Sequence, residues 1–196
     1  MTTQTQDATT LFFQFFQKSL PLFPPRLESI ITDSDLDQLR GDRFRYTLSV
    51  DAMVLISHMI EDAAAQSMRP VQLHVCFQYL SRLQDQYERY SGLTSKLEGL
   101  WLYAVSDDRL PNWKKTTFID LSGHPFVDYW FIIAYGAGVS MTLLAEEKKT
   151  ELRQKITERV YEGLYTFDEQ IAYKVLSLLH MNFPDKVPVP IPPELL

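Results

Sequence analysis

His58 and Glu61 have the residue types and spacing for proton chemistry. They lie three apart in an apolar helical pattern, so they share one helix face, bordered by Val54 and Asp62. A carboxylate beside an imidazole raises the imidazole's proton affinity, which makes a pH-sensitive or proton-handling pair. The same spacing also serves a structural hydrogen bond that fixes the helix against the next element. Gln78, Ser81 and Arg82 follow just beyond an apolar run. In open α/β sheets, ligands bind outside the carboxyl ends of strands, so these residues are placed for a ligand. For any one of them, helix capping and ordinary surface charge are the commoner explanation. Trp113, in a loop after Pro111-Asn112, is the least accounted for of the three tryptophans. His58, Glu61, Gln78, Arg82 and Trp113 are therefore the candidate ligand-binding residues.

Other chemistries lack their residues. The four histidines, His58, His74, His124 and His180, fall on different elements with no paired-ligand spacing, so no metal site is expected. There is no Gly-x-Ser-x-Gly elbow and no glycine-rich phosphate loop around Gly136 and Gly138. The single cysteine, Cys76, lies in an apolar run where burial makes a thiol inert, which argues against a covalently attached bilin. No catalytic residue is assigned, and no cofactor is readable. A flavin or other noncovalent chromophore is compatible with the sequence.

The elements that must position these residues read as one domain. The chain has 196 residues, enough for a sizeable core, with twelve Phe and ten Tyr. Its net charge of −6 argues against binding along a nucleic-acid backbone. One cysteine suits a reducing cytoplasm. Met1 to Thr10 lacks a basic, apolar leader. Phe126 to Leu144 contains Asp128 and reads as two strands, not a membrane span.

Phe12, Phe13, Phe15 and Phe16 make an amphipathic helix ended by Pro21, Pro24 and Pro25. A charged segment follows, with a helix start at Thr32 to Asp35. A helix spans about Ser49 to Gln66, with Leu48, Ala52, Leu55, Ile56, Met59 and Ala63 on one face. Val71 to Phe77 is a buried strand, and Tyr79 to Leu93 a helix. Further strands fall at 100–105, 116–121, 129–135 and 163–167; 139–146 is strand or helix. Glu146 to Arg159 reads as a solvated helix face. Asp168 caps a helix from Glu169 to His180. The proline-rich tail lies extended over a surface. These elements predict an α/β fold (α+β also fits) with a mixed β-sheet of about five to six strands flanked by helices. The expected organisation is an N-terminal helical extension over 1–43, a core over 44–182 and a tail over 183–196.

The run Leu55-Ile56-Ser57-His58-Met59-Ile60-Glu61-Asp62 resembles the helix signature of the DICT sensory domain family. The apolar strand ending in Phe77-Gln78 agrees, as does the following helix with Arg82, Tyr87 and Tyr90. Trp101, Asp107 to Pro111, Trp130, Leu144-Ala145-Glu146 and Glu162 to Asp168 match more loosely, so the similarity covers about residues 44 to 170. It resembles stand-alone cyanobacterial members. The resemblance implies a non-enzymatic module in two-component or cyclic-di-GMP signalling, with a light-related context. Implied partners are a histidine kinase, a response regulator or a diguanylate cyclase, or a second copy of the chain. The aromatic helix carrying Phe12, Phe13, Phe15 and Phe16 is the expected interface. The competing readings are a ligand-free adaptor or scaffold, and an enzyme using His58 and Glu61.

Overall fold

The computed structural model describes residues 7–26, 43–148 and 159–196. Its centre is a seven-stranded mixed sheet in the order β1-β7-β6-β5-β2-β3-β4. The strands are β1 (Phe44–Ser49), β2 (Val71–Tyr79), β3 (Gly99–Val105), β4 (Thr116–Asp120), β5 (Tyr129–Gly136), β6 (Val139–Glu147) and β7 (Val160–Thr166). β2, β3 and β4 run parallel, whereas β5, β6, β7 and β1 continue from β2 as antiparallel neighbours. Four α-helices are described: α1 (Ala8–Ser19), α2 (Val50–Gln66), α3 (Tyr87–Thr94) and α4 (Glu169–Asn182). The α/β class is as the sequence predicts. β1 is the strand beyond the expected set, and Leu48 belongs to it, not to the helix face.

Side chains alternate across each strand, so the sheet has two buried faces. On one, Leu73, Val75, Leu102 and Ile132 pack with Met53, Ile56 and Ile60 of α2 and Tyr90 of α3. On the other, Tyr103, Phe131, Ile133 and Leu164 pack with Phe12 and Phe16 of α1 and Val175 and Leu179 of α4. α2 starts where Ser49 caps it, accepting from the Ala52 N–H at 3.4 Å, with Asp51 in the first turn. The Asp168 carboxylate caps α4, accepting from the backbone N–H groups of Gln170 and Ile171. β5 and β6 form the hairpin that the apolar run predicts. Its turn places Gly138 at φ 84°, a region that suits glycine.

Two expectations need correction, and one open alternative is resolved. Residues 79–93 are not one helix: β2 runs to Tyr79, a 3-10 stretch covers Leu80–Gln86, and only Tyr87–Thr94 is α-helical. Residues 139–146 are strand. Phe12 and Phe16 are not available to a partner: they are 0% and 1% exposed, packed on Phe126 and Tyr129 of their own chain. Phe13 stacks on Tyr129, and Phe13 and Phe15 are half-buried. The helix start at Thr32 to Asp35 and most of the polar run after Glu147 lie outside the described residues. The tail lies on its own chain, where Trp101 and Tyr135 donate to the carbonyls of Lys186 and Ile191 at 3.0 and 2.7 Å.

Candidate functional site

β2 ends irregularly. Its register against β3 shifts between Cys76 and Gln78, and Gln78 sits at φ 64°. A bulge with a non-glycine residue in the left-handed region is a strained feature that its surroundings must hold in place. The surroundings are polar. Gln78 is 1% exposed, and its side-chain oxygen accepts from Arg82, from Arg159 at 2.6 Å and from the Tyr161 hydroxyl at 3.0 Å. Its amide nitrogen donates to the Val127 carbonyl at 2.9 Å and to Glu147 at 3.3 Å. Three donors on one side and two acceptors on the other fix which way the amide points. Arg159 also pairs with both oxygens of Glu147, whose pKa is held down by that arginine against the cost of burial.

Beside this cluster is a cavity of about 370 Å³ between α2 and the 80–94 segment. Val54, His58 and Glu61 of α2, Arg82 and Tyr90 across from them, and Trp130 of β5 form its walls. The Trp130 ring nitrogen donates to the Ser57 hydroxyl at 3.2 Å, which sets the indole against the cavity. The two walls are tied together. His58 Nε2 and Gln86 Oε1 lie 2.9 Å apart, and Arg89 bridges Glu61, Asp62 and the His58 carbonyl. Asp107 steadies the far wall by accepting from the Ser81 N–H and hydroxyl at 2.8 and 2.7 Å.

His58, Glu61 and Arg82 therefore come together at one cavity, with Gln78 anchoring its end. His58 and Glu61 share a face but do not bond to each other. His58 is engaged with Gln86, and Glu61 accepts from Arg89 and from the Tyr90 hydroxyl. This disfavours the proton-transfer pair. Trp113 is not among the lining residues; its ring packs on Tyr87 at 4.9 Å. Sequence reasoning missed Arg159, Arg89 and Gln86, and took Trp130 only as part of the family resemblance. Cys76 touches the cavity, but burial pushes its thiol up to about 12, so it is no attachment point. A larger groove of about 560 Å³ near Met68, Gly138 and Phe167 is open, with Met68 fully exposed. It lacks a converging set of buried polar side chains, which makes the smaller cavity the better candidate.

Burial raises the pKa of Glu61 above its ordinary 4.5, against the lowering hydrogen bonds from Tyr90 and Arg89. The folded chain thus holds this proton more tightly than the unfolded chain. Stability from this group is fullest below pH 4.5 and falls as pH rises through the raised folded value. Urea denaturation of wild type and Glu61→Gln between acid and neutral pH should show wild type losing ground to the variant as pH climbs. A gap that stays constant, or moves the other way, would refute the assignment.

Among the described residues no helix is long and apolar enough to cross a membrane, and no cluster of three or more potential metal ligands occurs. A family described as the sensory domain in diguanylate cyclases and two-component systems matches residues 28–148. A comparison with curated proteins finds no match.

Proposed function

This chain belongs to the DICT family, the sensory domain of diguanylate cyclases and two-component systems, and from that membership we propose that it is a non-enzymatic signalling module whose input is a small molecule in the α2 cavity. Its output is a contact with a histidine kinase, response regulator or diguanylate cyclase in the cytoplasm. One observation carries the ligand half of this reading: the strained, fully hydrogen-bonded Gln78 supports Arg82 at the edge of a largely apolar cavity. Strain held by a buried polar network beside a cavity is typical of ligand sites. The engaged His58 and Glu61 favour binding over catalysis. A light-related role requires a noncovalent chromophore in the same cavity, because the Cys76 thiol is buried and protonated.

Native mass spectrometry and an absorption spectrum of protein purified from its own host test this. The expected result is a bound small molecule, lost on denaturation, that raises apparent stability when added back. A chain without a bound molecule, not stabilised by host extract, would reject the sensor reading in favour of a ligand-free adaptor.

A further inference from the structure

The charges around the cavity do not cancel equally. Glu61 is bonded to Arg89, which it shares with the exposed Asp62, and Arg159 is matched by Glu147. Arg82 is different. Its one hydrogen bond among the described residues goes to the neutral Gln78 amide, and it pairs with no carboxylate there. Its guanidinium lies over the Tyr79 ring at 4.8 Å, half-buried, so one planar face is covered and its remaining edge donors are left to the cavity. Burial and the neighbouring Arg159 lower its pKa, while Glu147, which is already bound to Arg159, acts against them from a distance without bonding to it. Asp85 is the remaining acidic lining residue, and it is exposed.

We propose that the cavity binds a monoanionic organic acid, its carboxylate on the Arg82 guanidinium and its apolar body against Trp130, Val54 and Tyr90. The inference rests on the cavity being the input site and adds the ligand's class. Three features select that class. A guanidinium fork matches a carboxylate with two parallel hydrogen bonds. One unmatched cation calls for one negative charge, and Asp85 at the edge disfavours a second. The volume of about 370 Å³ is near the low end for organic ligands, which suits one ring system and not a dinucleotide.

The test titrates the full chain with phenylacetate, indole-3-acetate and phenyl phosphate, and with the amides of the two acids, following amide resonances of residues 50–66 and 80–94 by NMR. At least one acid should bind, with its amide at least ~10-fold weaker. Arg82→Gln should weaken the acid by a similar factor and leave the amide unchanged. Arg82→Lys keeps the charge without the fork and should fall between. Amides that bind as well as acids, acids indifferent to Arg82→Gln, or tighter phenyl phosphate binding would each overturn the proposal. So would the absence of binding by any acid. A neutral molecule retained from the host in native mass spectrometry would then keep the cavity as a sensor site and remove only its anionic class.

Discussion

Gln78→Leu should destabilise the protein by about 1–3 kcal/mol, the cost of leaving buried hydrogen-bonding groups unsatisfied, with the Arg159–Glu147 ion pair still in place. The leucine fills similar space but cannot accept. Arg159 and Tyr161 lose the acceptor they share, the Val127 carbonyl loses its donor, and Arg82 loses its one hydrogen bond among the described residues. The backbone adds a second effect. At φ 64°, Gln78→Gly should be less damaging than Gln78→Ala, although alanine is the better residue in most regular structure. Urea denaturation of the three variants measures both. A loss under about 1 kcal/mol for Gln78→Leu would mean that water replaces the amide, and the network does not hold the bulge.

Phe12→Ala should cost about 3–5 kcal/mol, the usual penalty for truncating a fully buried phenylalanine. Phe12 is 0% exposed, with its ring centroid 4.4 Å from Phe126 and 5.5 Å from Tyr129. The helix is therefore part of the second hydrophobic layer, beside α4. A detachable interaction arm predicts the opposite: Phe12→Ala would leave the melting curve unchanged and weaken only association with a partner. Thermal unfolding and sedimentation of the same variant separate the two. Unchanged melting with lost association would restore the arm.

The contrast at α1 shows what a linear pattern carries. The i, i+4 aromatic stripe announces an amphipathic helix, but an apolar face is the same whether it meets the chain's own sheet or another molecule. α2 and β2 were legible because their apolar patterns are long or continuous. β1 carried a signal that was missed: Phe44, Tyr46 and Leu48 alternate and are all buried, yet Leu48 also fits the helix stripe that follows. The 80–94 segment misled because Leu80, Leu83, Tyr87 and Tyr90 suit a 3-10 turn as well as an α-helix. At the site, His58, Glu61, Gln78 and Arg82 were found from local spacing and from the strand end. Arg159 was not, since it reaches Gln78 from 81 residues away, and no local period encodes such a contact. Trp113 is a loop aromatic with no local pattern to explain it, and its contact with Tyr87 accounts for it.

A signal received in the α2 cavity must leave its mark on the cavity's walls. Hydrogen–deuterium exchange of the whole chain, with and without the small molecules extracted from its own host, tests it most directly. Slowed exchange is expected in residues 50–66 and 80–94, the two tied walls of the cavity, and around Trp130. Unchanged exchange throughout, or protection confined to the open groove at Met68, Gly138 and Phe167, would contradict it.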